Sequence, residues 1–115
     1  MTKPEIASAF SNGEFDKTTD FIAADAIWEV VEEDKFIGKN AIVENCNQVG
    51  QYFKSVTTKF NTLNVIAEDN KIMVNGTAEF IRDGKRISFV SACDIYEFND
   101  SDQIQKITSY CIQAK

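Results

Sequence analysis

The chain has 115 residues, of which 12 are basic and 18 acidic, and it contains no histidine. This length predicts one domain spanning residues 1–115, with enough apolar sequence for a core. The lack of histidine excludes His-based catalytic triads and His-ligated metal sites. The formal net charge of −6 argues against partners such as nucleic acid or an anionic membrane surface, because both need clustered cations.

The three cysteines, Cys46, Cys93 and Cys111, are far apart and form no C-x-x-C motif. We expect reduced structural thiols and a cytoplasmic protein. The N-terminus has no hydrophobic signal region, and no apolar run approaches the roughly 20 residues of a membrane helix. The sequence also contains no phosphate loop, dinucleotide fingerprint or group of metal ligands, so we expect no cofactor and no metal.

Two short helices are predicted at the N-terminus. Thr2 and Glu5 stand at the positions of a capping box, which indicates that the first helix begins here. The segment Ser11-Asn12-Gly13 ends it. A second short helix is predicted from about Glu14 to Ile22, with apolar residues along one side.

A strand, a turn and a long helix come next. Residues 26–31 are rich in β-branched and aromatic residues and predict a strand, and residues 32–35 predict a turn before a short return strand at Phe36-Ile37. A longer helix is predicted to open at 38–40. Its apolar residues follow the α-helical period: Ile42, Cys46, Val49 and Phe53.

After Ser55 the apolar period changes to two, which predicts four long strands: 60–67, 71–82, 86–98 and 104–112. Asp83-Gly84 predicts a hairpin turn between the second and third of them. Asn75-Gly76 is interpreted as a bulge or a close approach inside a strand. Helices followed by an antiparallel meander predict an α+β fold, with a cavity between the curved sheet and the long helix.

The order and spacing of several segments resemble the nuclear transport factor 2 superfamily, and within it the SnoaL-like and ketosteroid-isomerase-like proteins. These segments are Phe10–Phe15, Ala24–Val30, Ile37–Ile42, Ala92–Phe98 and Gln103–Ile107. The resemblance implies a cone-shaped α+β barrel of the cystatin-like type, with N-terminal helices packed on a curved, mostly antiparallel sheet. It also implies an internal pocket and, commonly, a homodimer. Activities in the family range from isomerases, cyclases, hydrolases and dehydratases to proteins that only bind.

The resemblance makes Asp94 the candidate catalytic residue. It falls where the ketosteroid isomerases keep the carboxylic acid of their oxyanion hole. The isomerase's general base would align with Val30, however, and its tyrosine near Ile6. Arg82 and Asp83 are adjacent in a turn, so the Arg-x-Asp pairing of limonene-epoxide-hydrolase-like members is absent. Steroid isomerisation by the isomerase mechanism is therefore not expected.

Alternation along the third long strand places Asp94 on one face with Ser88, Val90, Ala92 and Tyr96. If this face lines the cavity, apolar neighbours raise the pKa of the carboxyl group, and a neutral acid can donate a proton to a substrate oxygen. Two other arrangements remain open. Asp94 forms a structural hydrogen bond to a tyrosine or a backbone amide, or a bulge turns it outward.

Seven further residues are candidate ligand contacts. Trp28 and Val30 share a face of the first strand, where an aromatic wall suits a planar or terpenoid ligand. Tyr110 is expected to meet Asp94, because the last two strands should pair. For each candidate the alternative is a packing or surface role. The full set is Trp28, Val30, Tyr52, Phe53, Asn75, Val90 and Tyr110.

Three functions follow from these observations. The first is a cofactor-free isomerase, cyclase or dehydratase that uses Asp94 as an acid on a small apolar molecule. The second is a binding protein for such a molecule without turnover. The third is a non-catalytic dimeric interaction module, which would use the face opposite Asp94: Ile87, Phe89, Cys93 and Ile95.

Overall fold

The computed structural model describes all 115 residues, as two α-helices and a six-stranded sheet. The helices are α1 (Lys3–Ser11) and α2 (Lys39–Ser55). The strands are β1 (Ile22–Val30), β2 (Asp34–Ile37), β3 (Thr57–Glu68), β4 (Lys71–Arg82), β5 (Lys85–Phe98) and β6 (Ile104–Gln113). The predicted α+β fold, with helices packed on a curved and mostly antiparallel sheet, is confirmed.

The strands are ordered β2-β1-β6-β5-β4-β3. All neighbours pair antiparallel except β1 and β6, which are parallel. The predicted limits of β4 are confirmed, and those of β5 and β6 differ by one residue. β1 and β3 begin earlier than predicted, at Ile22 and Thr57. No helix is long and apolar enough to cross a membrane.

The predicted start and end of α1 are confirmed. The side chain of Thr2 accepts a hydrogen bond from the Glu5 amide at 3.2 Å, and the Glu5 carboxylate accepts one from the Thr2 amide at 2.8 Å. The helix ends at Ser11, and Gly13 follows with a φ of +76° that favours glycine. This end places Ser11 above the sheet.

The predicted second helix at 14–22 is wrong. Two 3₁₀ turns, Phe15–Lys17 and Thr19–Phe21, take its place, and Ile22 already belongs to β1. The hydroxyl groups of Thr18 and Thr19 both donate to the Phe15 carbonyl, at 2.8 and 3.3 Å. Such side-chain bonds compete with α-helical backbone bonds, which explains the tighter turns.

Gly76 lies inside β4 at a close approach to β3, as predicted. A Cβ atom at this position would lie 2.6 Å from the Asn61 carbonyl oxygen. The register irregularity is on the opposite strand, between Thr62 and Asn64. The bulge therefore belongs to β3, and β4 remains continuous.

The hydrophobic core lies between α1, α2 and the inner face of the sheet. Its fully buried large residues are Ile6, Ile22, Ile42, Ile72, Tyr96, Phe98, Ile104 and Ile107. These side chains fill one end of the fold. At the other end the helices and the sheet leave a cavity.

Candidate functional site

A cavity of about 430 Å³ lies between the two helices and the inner face of the sheet. Its walls are mainly aromatic: Phe10, Phe15, Trp28, Phe36, Phe53, Phe60 and Phe80. No lysine or arginine lines it. Cavities of this size with apolar walls and a few polar groups are typical small-molecule sites.

Asp94 lies on the floor of this cavity. Its Oδ2 atom accepts a hydrogen bond from the Ser11 hydroxyl at 2.8 Å. In the sheet, Asp94 of β5 is directly opposite Ser109 of β6, whose hydroxyl stabilises the carboxylate form of Asp94. The Trp28 indole N–H donates to the Ser109 Oγ atom at 3.0 Å. One hydroxyl group from the end of α1 therefore holds the carboxyl group, and a second one lies beside it on β6.

Tyr96 extends this arrangement into the core. Its hydroxyl lies 2.6 Å from the Ser11 Oγ atom, and its side chain is fully buried. Because Ser11 gives its only proton to Asp94, Tyr96 must be the donor to Ser11. Tyr96 therefore donates to Ser11, which donates to Asp94, while Trp28 donates to Ser109, the residue opposite Asp94 in the sheet. We call these five residues the Asp94 network.

Burial raises the pKa of the Asp94 carboxyl group above its ordinary value. The hydroxyl groups of Ser109 and Ser11 act in the opposite direction, because they stabilise the carboxylate, but desolvation is the larger effect. Burial and the adjacent Asp94 charge also raise the pKa of Tyr96, which stays protonated as a donor. The floor of the cavity thus favours a neutral acid.

Two carboxylates and a thiol line the rim. Glu33 lies in the connection between β1 and β2, Asp34 is the first residue of β2, and Cys111 lies near the end of β6. Burial and the charges of Asp94 and Glu33 raise the pKa of Cys111 to about 11. The thiol is therefore protonated at neutral pH, which disfavours a role as a nucleophile.

All three cysteines are free, as predicted, but their environments differ. Cys46 is buried in the core, and burial raises its pKa to about 12. Cys93 is half-buried, and Cys111 is exposed. Only Cys46 is therefore a buried thiol of the core.

Five of the eight predicted site residues line the cavity: Asp94, Trp28, Val30, Phe53 and Val90. The predicted face of β5 is therefore the cavity face, and the alternative in which a bulge turns Asp94 outward is wrong. The structural alternative is partly realised, since Asp94 is linked to a tyrosine through Ser11.

Tyr110 does not meet Asp94, contrary to the prediction. The register pairs Asp94 with Ser109 and Cys93 with Tyr110, so Tyr110 projects from the outer face. Its side chain is 47% exposed. Pairing of the last two strands was predicted, but the partner of Asp94 is one residue earlier than expected.

Tyr52 and Asn75 also lie outside the lining. Tyr52 is 42% exposed and packs against the ring of Phe80, with centroids 5.6 Å apart. The Asn75 amide donates to the Ala92 carbonyl at 3.3 Å and accepts from Asn64 at 2.9 Å. Val74 is opposite Asp94, so the neighbouring Asn75 falls on the outer face.

Ser11 and Ser109 are the functional residues that sequence reasoning missed. Ser11 was interpreted only as part of a helix end, and Ser109 was given no role. Alternation gave no means of placing either hydroxyl against Asp94, because Ser11 is 83 residues away in the sequence and the register between β5 and β6 selects Ser109.

A model of the SnoaL-like domain family matches residues 5–107. An NTF2-like protein of unknown function from Cytophaga hutchinsonii is 33% identical; the match covers 94% of each chain, with a TM-score of 0.84. No curated protein matches the chain.

Two more distant structures share the fold. An LEH-like epoxide hydrolase from M. tuberculosis is 17% identical over 91% of this chain and 75% of its own, with a TM-score of 0.67. An epoxide hydrolase/cyclase-like enzyme of pyran ring formation in the polyether salinomycin is 16% identical. The match covers 96% of this chain and 90% of that enzyme's chain, with a TM-score of 0.72.

Proposed function

The chain belongs to the SnoaL-like domain family, and on that premise we propose that its cavity binds a small, largely apolar molecule on which Asp94 acts as an acid. The reaction classes that fit are isomerisation, cyclisation and dehydration without a cofactor. The observation that carries the proposal is the Asp94 network at the floor of an aromatic cavity.

The network supports an acid role because it orients the carboxyl group and leaves it facing an apolar space. A buried neutral acid can hydrogen-bond or protonate a substrate oxygen as negative charge develops there. The raised pKa keeps the proton available closer to neutral pH than in an exposed aspartate.

Dehydration and cyclisation can both use this proton and return it to the carboxylate. In dehydration, Asp94 protonates a hydroxyl group that leaves as water, and the resulting carboxylate removes a proton from the adjacent carbon. In cyclisation through an epoxide, Asp94 protonates the epoxide oxygen as its C–O bond breaks, and a hydroxyl group of the same molecule attacks the carbon and loses its proton to the carboxylate. The related fold of an epoxide hydrolase/cyclase-like enzyme supports testing epoxides first.

The test is a thermal-shift screen of steroids, polycyclic aromatics, terpenoids and their epoxides, followed by turnover assays on the hits. A ligand of the native state raises the melting temperature by mass action. We expect Asp94→Asn to lower turnover by about 100-fold or more. The matched control is Asp100→Asn at an exposed position, which should leave turnover unchanged. Equal turnover in Asp94→Asn and wild type would refute the acid role, whereas binding without any turnover would favour a binding protein.

A second candidate function, a homodimeric interaction module, is favoured by the outer face of the sheet. This face carries large exposed apolar side chains: Ile66, Ile87, Tyr110 and Ile112. Exposed apolar surface of this kind is typical of a protein interface. We propose that a second copy of the chain covers it. Analytical ultracentrifugation should show a dimer that Ile112→Lys weakens, and a wild-type monomer at high concentration would refute the interface.

A further inference from the structure

The geometry points to a ligand that carries no negative charge, such as an alcohol, a ketone or an epoxide, rather than a carboxylate or a phosphate ester. This inference rests on the proposed function of the same cavity and adds the charge class of the ligand. Three features of the lining support it.

The charged groups around the cavity are all acidic. Glu33, Asp34 and Asp94 line it, and no lysine or arginine does. The ion pairs of the protein lie elsewhere, between Lys3 and Asp102, Lys17 and Glu14, and Arg86 and Glu79. An anionic ligand would therefore meet the two carboxylates of the rim, Glu33 and Asp34, and no counter-charge.

The helix ends do not compensate for the lack of lysine and arginine in the lining. α1 reaches the cavity through Phe10 and Ser11, at its C-terminal end, where the helix dipole is negative. α2 begins at Lys39, but its lining residues start one and a half turns later at Asn45. Neither helix presents the N-terminal amides that bind anions in other proteins.

The hydrogen-bond donors on the floor are already engaged. The Ser11 proton goes to Asp94, the Tyr96 proton to Ser11 and the Trp28 N–H to Ser109. The remaining donor on the floor is the acid proton of Asp94 itself. That proton suits an uncharged oxygen acceptor.

The experiment compares geraniol with geranic acid, which share one carbon skeleton and differ in charge at pH 7.5. Trp28 is the single tryptophan and lines the cavity, so its fluorescence reports binding directly. Like charges in a desolvated site cost several kcal/mol, so we expect geraniol to bind at least about 100-fold more tightly.

A matched pair of lysine variants tests the cause. Asn45→Lys places a cation in the lining, and Asn47→Lys places one on an exposed position of the same helix. We expect Asn45→Lys to reduce the ratio of the affinities for geraniol and geranic acid by about tenfold, and Asn47→Lys to leave this ratio unchanged. Circular dichroism verifies that both variants fold.

The outcomes separate the two proposals. Equal affinity for geraniol and geranic acid in the wild type would overturn the inference that the ligand carries no negative charge, but it would leave the proposed binding site standing. The same change in relative affinity in Asn45→Lys and Asn47→Lys would also overturn that inference. Binding of neither probe, together with no hit in the thermal-shift screen, would refute the proposed function itself and this inference with it.

Discussion

The two ends of the inner face of β5 differ although they belong to one strand. At the closed end, Tyr96 and Phe98 are buried against the core. At the open end, Val90 and Ala92 face the cavity. Asp94 lies at the boundary between them, where its carboxyl group touches both the buried network and the open space.

The position where α1 ends accounts for this difference. Ile6 of α1 packs into the closed end, Phe10 borders the cavity, and the helix stops at Ser11, directly at Asp94. Beyond it the cavity is bordered by Phe15 and by Val49 and Phe53 of α2. The boundary between the closed and the open end therefore lies where α1 ends.

The two ends should differ most in how a larger side chain at each of them changes the stability of the protein. Ala26 is fully buried at the closed end, and Ala92 lines the cavity. We expect Ala26→Leu to destabilise the protein by about 1–3 kcal/mol or more, because a packed core has no room for three extra carbons. Ala92→Leu should change stability by no more than about 0.5 kcal/mol and should abolish ligand binding.

Urea unfolding of both variants, followed by a fluorescence titration of Ala92→Leu, measures these effects. A loss of stability in Ala92→Leu as large as that in Ala26→Leu would mean that the open end is packed in solution. The comparison between the two ends would then be wrong.

The sequence was sufficient for both α-helices, for the six strands and for the face of β5 that carries Asp94, but not for the 3₁₀ turns at Phe15–Lys17 and Thr19–Phe21. Alternation is a local property, and burial of one face fixes it over a long strand such as β5. The capping box at Thr2 and Glu5 is equally local, which is why α1 was predicted to within a residue. The cavity itself followed from the family resemblance and the order of the elements.

Contacts between distant segments could not be obtained in this way. A shift of one residue between β5 and β6 decides whether Ser109 or Tyr110 meets Asp94, and nothing in the sequence sets that register. Ser11 reaches Asp94 only because α1 lies across the sheet at one particular place. The Asp94 network is thus a tertiary property, whereas Asp94 itself was found from its strand.

The hydrogen bonds at the boundary between the two ends can be tested with substitutions of Ser11 and Tyr96. Ser11→Ala removes a donor to Asp94 and leaves the buried Tyr96 hydroxyl without its acceptor, so we expect a loss of about 1–3 kcal/mol. Adding Tyr96→Phe removes the unsatisfied hydroxyl and should restore part of that loss. A double-mutant cycle by urea unfolding should give a coupling energy of about 0.5–3 kcal/mol. Additive effects would show that the two hydroxyl groups do not interact.

The dependence of stability on pH tests whether Asp94 belongs more to the buried end or to the open one. Folding raises its pKa through burial, so the folded protein holds this proton at pH values where the unfolded chain has lost it. Stability from this group is therefore fully present below about pH 4, the unfolded pKa, and falls as pH rises toward the raised pKa of the folded state.

In Asp94→Asn the side chain at this position cannot titrate, so the variant should lack the decrease in stability that Asp94 causes as pH rises. The difference in unfolding free energy between the variant and the wild type should therefore increase with pH above about 4, by at most about 1.4 kcal/mol per pH unit, and level off above the folded pKa. Other carboxyl groups cancel in this difference, and lost hydrogen bonds add only a constant. Ser11→Ala should extend the rise to higher pH, because the Ser11 hydrogen bond lowers the pKa of Asp94. If the difference in unfolding free energy stays constant from pH 4 to 8, Asp94 is as well solvated in the folded protein as in the unfolded chain. Asp94 would then belong to the open end.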